Sequence, residues 1–289
     1  MERAIDVDGG AGLKDGVATL SDGATLSYTL RPAPTAGAPR LVLIHSLALD
    51  RTVWDLVVAG LADEASILTY DCRGHGRSSR RAGPFTAELF AQDLHELLDH
   101  VGWSAAAVAG CSMGGCVALA FAGRYPSSAA ALGLIDTTAW YGPDAPAKFR
   151  ERAEAARAKG MQGLIDFQLT RWFSDGFRAA HPDVLQRTAA IFVANDFGCY
   201  AATCALLGDV DVRPHLARFR MPVAIVVGEE DYATPVDMAR QLHEAIPPST
   251  LRVIPHARHL TPIEHPAVIA EEIQSLLQRT PFSPCPGPS

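Results

Sequence analysis

The stretch Ala105-Ala-Ala-Val-Ala-Gly110-Cys-Ser112-Met-Gly114-Gly-Cys-Val-Ala-Leu-Ala-Phe121 decides the fold. It opens as a short, continuous apolar run of the kind buried on both faces of a parallel sheet. It passes through Gly110-Cys-Ser112-Met-Gly114 and leaves as an apolar helix over Cys116–Tyr125. In a chain with 24 glycines the pattern Gly-x-Ser-x-Gly is weak by itself, and a serine can fall at a glycine-rich turn by chance. The strand before it and the helix after it turn the pattern into a nucleophile elbow. Glycines on each side permit a sharp turn and close approach of strand to helix. Ser112 Oγ is then expected at a helix N-terminus, where N–H groups and the helix dipole favour a developing oxyanion.

Outward from the elbow, similar apolar runs recur at Leu41–Ile44, Ser66–Tyr70, Ala130–Asp136, Val223–Gly228 and Leu251–Pro255. Val17–Leu30 reads as two strands around an Asp-Gly turn. Helical patterns such as Thr86–Val101 separate the later runs. Strand–helix alternation of this kind predicts an α/β fold, a mostly parallel eight-stranded sheet with helices on both faces. The C-terminal ends of its strands gather along one edge, where sites form.

One stretch breaks the rhythm. From Thr137 to Arg213 there is no strand pattern, only helical pieces carrying Trp140, Phe167, Trp172, Phe173 and Phe192. That is far too long for a simple crossover. It predicts a helical cap (lid) over 137–213, inserted between core segments 16–136 and 214–278. Residues 1–15 read as a flexible lead-in, and the proline-rich 279–289 as a disordered tail.

Composition sets the outer limits. The 289 residues are 48% apolar and 20% charged, with a net charge of −7, ordinary values for a globular enzyme. No basic patch suggests a nucleic-acid partner, and the first forty residues hold no run resembling a signal peptide or membrane span. The cytoplasm is the expected compartment. Six cysteines (Cys72, Cys111, Cys116, Cys199, Cys204 and Cys285) lack any Cys-x-x-Cys pairing and are expected reduced, with Cys199 and Cys204 on one helix face.

A serine hydroxyl needs a base, and the base needs an acid to orient it. Of ten histidines, His256 and His259 follow the last strand. His259 is the expected base, because His259-Leu-Thr-Pro-Ile-Glu264-His-Pro266 marks a loop running into the final helix, and His256 is expected at the surface. His256-x-x-His259 lacks a third ligand for zinc, so neither metal nor cofactor is expected. Asp231 follows the Val223–Gly228 strand and is the expected acid, with Asp136, at the end of another strand, as its rival. The order Ser112…Asp231…His259 suits this fold class. The oxyanion hole is expected from the backbone N–H groups of Met113 and Leu47, the latter in the loop after Leu41–Ile44.

Tyr70-Asp-Cys-Arg-Gly-His-Gly-Arg-Ser78 reads as a structural turn, its polar side chains satisfying buried backbone groups. Together the elbow, this turn, Gly228-x-x-Asp231 and His259-x4-Glu264 resemble the α/β-hydrolase superfamily over about Gly16–Leu277. Within it the chain is most similar to 3-oxoadipate enol-lactonases. The likeness is carried by Ser46-Leu47, Asp50, Trp54-Asp55, Arg73–Gly76, Asp136–Trp140, Arg171-Trp172-Phe173, Cys199–Ala205 and Asp209–Leu216. It departs at His45 and Ala48, where that family has Asn and Gly.

The resemblance implies hydrolysis of a small acidic lactone through an acyl-enzyme, as a step in aromatic catabolism. His45 is read as holding the oxyanion loop by hydrogen bonds, and with Trp140, Arg171 and Trp172 it completes the set expected around the substrate. Arg171 is placed to meet a substrate carboxylate; pairing with Asp175 one turn on is the competing reading. The rival functions are a carboxylesterase, acyl-homoserine lactonase or perhydrolase, a C–C bond hydrolase of ring-cleavage products, and a non-catalytic ligand-binding protein of the same fold.

Overall fold

The structure, a computed structural model, describes residues 12–35, 37–61 and 65–282. Most of the expected lead-in and tail, with Cys285, lies outside these residues. Eight strands form one sheet: β1 (Lys14–Thr19), β2 (Thr25–Arg31), β3 (Arg40–Ile44), β4 (Ser66–Tyr70), β5 (Ala106–Cys111), β6 (Ala129–Ile135), β7 (Val223–Gly228) and β8 (Ser249–Ile254). β1 begins at Lys14, ahead of the apolar pattern at Val17, because the register Lys14 to Leu30 extends the β1–β2 hairpin into polar residues. The order across the sheet is β1-β2-β4-β3-β5-β6-β7-β8. β2 runs antiparallel to β1 and β4, and every later pair is parallel.

β5 and β7 are buried at every position, as central parallel strands covered on both faces must be. The sheet is flanked by α1 (Asp55–Gly60), α2 (Ala87–His100) and α3 (Met113–Arg124) in the first half of the chain. α2 starts where Thr86 Oγ1 accepts the N–H of Leu89, a standard cap on an amphipathic helix.

Between β6 and β7 the chain is helical: α4 (Ala145–Lys159), α5 (Ile165–Trp172), α6 (Asp175–Ala180), α7 (Pro182–Val193), α8 (Phe197–Asp209) and α9 (Arg213–Leu216). Trp172 and Phe192 meet edge to face at 5.5 Å, as do Phe192 and Tyr200 at 5.9 Å, so aromatic packing holds α5, α7 and α8 together. The chain then completes the sheet with α10 (Val236–Ala245), α11 (Thr261–Glu264) and α12 (Pro266–Gln278). Among the described residues, no single helix is long and apolar enough to cross a membrane. The five described cysteines are buried and unpaired.

Candidate active site

β5 delivers Ser112 to the C-terminal edge of the sheet. A Cβ on Gly110 would stand 2.1 Å from the Gly114 backbone, and one on Gly114 would stand 2.2 Å from Ile44 O, so the turn admits neither. Ser112 itself takes φ 54° and ψ −114°, a strained conformation held by the surrounding packing. It is the N-cap residue of α3, yet its side chain makes no capping bond. Its Oγ lies 2.9 Å from His259 Nε2 instead, and the N–H groups of Gly115 and Cys116 donate to Ser112 O at 2.9 and 3.2 Å.

His259 sits between β8 and α11, and its Nδ1 lies 2.7 Å from Asp231 Oδ2. Asp231, just past β7, also accepts from Ala233 N (2.7 Å), Thr234 N (3.0 Å) and Thr234 Oγ1 (2.8 Å). Burial would raise its carboxyl, but the neighbouring His259 and these donors outweigh that and hold it below the usual carboxylate range. The three side chains are at most 5% exposed. Among the described residues, the N–H groups of Leu47 and Met113 have no protein acceptor.

Asp136, the rival acid, does not reach the histidine ring. Its Oδ1 accepts from Gly228 N (3.1 Å), and its Oδ2 accepts from Thr261 N (3.0 Å) and Thr261 Oγ1 (2.7 Å). It therefore ties the end of β7 to the histidine loop. Burial, and then the nearby Asp231, push its carboxyl well above the usual range. His256 is exposed, and its ring faces Glu230 at 3.8 Å.

The cavity over Ser112 is lined by Ser46, Leu47, Tyr141, Arg152, Arg171 and Trp172, among others. Of the residues expected around the substrate, the structure brings Arg171 and Trp172 to this cavity. Arg171 makes no hydrogen bond or ion pair among the described residues, while Asp175 pairs with Arg178 (2.7 Å) and Arg258 (2.9 Å). Burial and the neighbouring Arg152 lower the Arg171 guanidinium to about 10. Among the described residues Arg152 meets no carboxylate either; it donates to Tyr200 Oη at 2.8 Å and Gln168 Oε1 at 3.2 Å.

Two residues expected around the substrate do not line this cavity. His45 holds its loop by hydrogen bonds, as read from the sequence, and is not in the lining: its Nδ1–H donates to Ser46 O at 2.7 Å, and its Nε2 accepts from Cys72 N at 2.8 Å. Both ring nitrogens are spent on holding the loops after β3 and β4 together. Trp140 faces away from Ser112. It stacks on the Arg213 guanidinium at 3.7 Å and lines a separate cavity with Leu216 and Met238. An extended chain reverses side-chain direction at each residue, and here Tyr141 takes the inward place.

Sequence reasoning missed Tyr141 and Arg152. Nothing local marks Arg152 among the many charges of α4. It also missed the second role of Glu264, which accepts from Ser174 N (3.1 Å), Ser174 Oγ and Arg258 N (3.0 Å). With His259 N and Leu260 N both donating to Trp172 O at 3.1 Å, this fastens the end of α5 to the histidine loop. The turn after β4 is structural as read: Arg73 pairs with Asp93 and Asp22 (both 2.6 Å), and Asp71 binds Arg51 at 2.7 Å.

Residues 39–266 match the family model described as alpha/beta hydrolase fold. The chain is 31% identical to 3-oxoadipate enol-lactonase 2 of Acinetobacter baylyi over 244 residues, 84% of this chain and 90% of that protein. The crystal structure of the enol-lactonase from Burkholderia xenovorans LB400 superposes with a TM-score of 0.86 at 31% identity, covering 91% of this chain and all of that one. A thermophilic esterase from Thermogutta terrifontis, solved with malate bound, gives 0.83 at 29% identity, covering 92% and 98%. The chain belongs to the α/β-hydrolase fold family and is a hydrolase of that superfamily, similar to enol-lactonases along most of its length.

Proposed function

We propose that this hydrolase opens a small lactone or ester bearing a free carboxylate, 3-oxoadipate enol-lactone in the first instance, through an acyl-enzyme on Ser112. The observation that carries the reading is Arg171, a half-buried guanidinium on the wall of the Ser112 cavity that has no hydrogen-bond or ion-pair partner among the described residues. A partly desolvated cation without a partner is a ready site for a ligand carboxylate, which would make charge-assisted bonds to it. Arg152 adds a second cation on the same wall. The enol-lactonase relatives act on such a compound by name, and the esterase relative holds malate, itself a dicarboxylate.

In this mechanism His259 takes the Ser112 proton through Nε2 while Oγ attacks the lactone carbonyl. Asp231 fixes the tautomer and stabilises the imidazolium. The N–H groups of Leu47 and Met113 hold the oxyanion; loss of one such donor typically costs about 10²–10³ in rate. Ring opening leaves an acyl-enzyme, which water activated by His259 hydrolyses. The helices of 137–213 act as a cap. Free space at the cavity centre is about 10 Å³, room for roughly one water, so the cap shifts to admit substrate.

The test compares loss of enol-lactone absorbance with hydrolysis of p-nitrophenyl acetate, in the wild type and in Arg171→Met. The wild type is expected to prefer the enol-lactone. Arg171→Met should lose about 10- to 100-fold in kcat/KM on it while keeping activity on the neutral ester. Ester turnover without enol-lactone turnover would instead favour a carboxylesterase.

A further inference from the structure

Tyr141 lines the Ser112 cavity with a polar side chain to which the mechanism above gives no task. Its ring is fixed edge to face on Phe149 at 5.2 Å. Its hydroxyl stands among Ser112, Arg171 and Cys116, the Cys116 thiol offering only a weak contact at 3.9 Å. Its other side-chain partner is Ser112, the nucleophile itself. A phenol whose polar neighbours are the nucleophile and a weak thiol is a donor held beside the reacting atoms.

The topology indicates which substrate atom it meets. Ser112 ends β5, whose neighbours are β3 on one side and β6 on the other. The oxyanion donor Leu47 follows β3; Tyr141 follows β6. The hydroxyl therefore approaches the reacting carbon from the side opposite the oxyanion loop. That side belongs to the two other substituents, the acyl chain and the leaving oxygen. Arg171 decides between them. In 3-oxoadipate enol-lactone the carboxymethyl arm is attached to the carbon that bears the ring oxygen. A carboxylate on Arg171 thus brings the leaving oxygen, not the acyl chain, toward the neighbouring Tyr141.

We propose that Tyr141 is a further catalytic residue, whose hydroxyl donates a hydrogen bond to the leaving-group oxygen as the acyl C–O bond breaks. The proposal rests on the Ser112 mechanism. The Oγ–C bond forms, the ring C–O bond breaks, and its electron pair goes to the enol oxygen. That oxygen receives the former Ser112 proton from His259 Nε2; Tyr141 keeps its own. Tyr141 lowers the charge that the departing oxygen carries before the proton arrives, and poorer leaving groups need this more.

The experiment is a leaving-group series on Tyr141→Phe, which keeps the ring and its packing on Phe149. Acetate esters of p-nitrophenol, phenol, trifluoroethanol and ethanol are compared by kcat/KM, with 3-oxoadipate enol-lactone alongside. The expected result is a steeper dependence on leaving-group pKa in the variant. It should lose about 10- to 100-fold on the ethyl ester and less than about three-fold on the p-nitrophenyl ester. An equal loss across the series would place Tyr141 in the oxyanion hole or in structure, and no loss would remove it from the chemistry; either result overturns the proposal. If the wild type hydrolyses none of these compounds, the Ser112 mechanism falls first and this proposal with it. Circular dichroism of the variant, expected to match the wild type, separates a chemical effect from misfolding.

Discussion

His45 and His75 show how residues that look reactive in the sequence are used up by structure. Their rings lie 5.0 Å apart beneath the loops after β3 and β4, and both are buried. His75 Nδ1–H donates to Arg73 O at 3.0 Å, while its Nε2 has no partner among the described residues. Burial, and then the neighbouring His45, depress the His75 imidazole from 6.5 to about 3. Burial lowers His45 as well. The unfolded chain therefore binds protons below pH 6.5 that the folded chain refuses. The stability from keeping the His75 ring neutral is fully present above pH 6.5 and is lost as pH falls from there toward 3. His75 contributes a slope of about 1.4 kcal/mol per pH unit, or about 2 kcal/mol by pH 5, and His45 acts in the same direction. Urea unfolding between pH 7.5 and 5 should show this loss. His75→Asn, which keeps a donor for Arg73 O but does not titrate, should flatten the slope by about one proton; an unchanged slope would contradict the assignment. Sequence revealed the loop-holding role of the turn after β4, because its glycines and polar residues are contiguous. It could not show that His45 spends both nitrogens, since Cys72 lies 27 residues away.

At the scale of elements, the histidine loop and the end of α5 behave as one unit. Glu264 receives Ser174 and the Arg258 backbone, and Arg258 Nη1 donates to Thr170 O (2.8 Å) and Phe173 O (3.0 Å). This explains why His259 is followed five residues later by a glutamate: the carboxylate anchors the base to the helical insertion. These bonds keep Arg171 and Trp172, at the end of α5, in place beside the base. Glu264→Ala leaves buried donors unpaired and should lower stability by about 2–3 kcal/mol. It should also speed hydrogen exchange in residues 172–175 and 258–260 together. Exchange that rises in one segment alone would contradict the coupling. The elements themselves were legible because their periods are local. β5, its elbow and α3 are contiguous in sequence, whereas Trp140 was assigned inward because the sequence does not show which of two adjacent aromatics an irregular segment buries.

Over the whole molecule, the site is a product of sheet order. β3, β5, β6, β7 and β8 end along one edge, and the loops after them bring Leu47, Ser112, Tyr141, Asp231 and His259 within reach of one another. The glycine spacing at the elbow and the residues closing β7 and β8 made Ser112, Asp231 and His259 readable, because each stands at a fixed offset from its strand. The pocket wall was harder to read. Arg152 and Tyr141 meet Arg171 only after α4 and α5 fold back over β5, and no local pattern records that approach. The most direct test is intact-protein and peptide mass spectrometry after reaction with a fluorophosphonate. The geometry predicts one adduct per chain, on the Ser112 peptide, absent in Ser112→Ala and slowed at least 100-fold in His259→Ala. An active enzyme that takes no adduct, or takes it on another residue, would contradict Ser112 as the nucleophile.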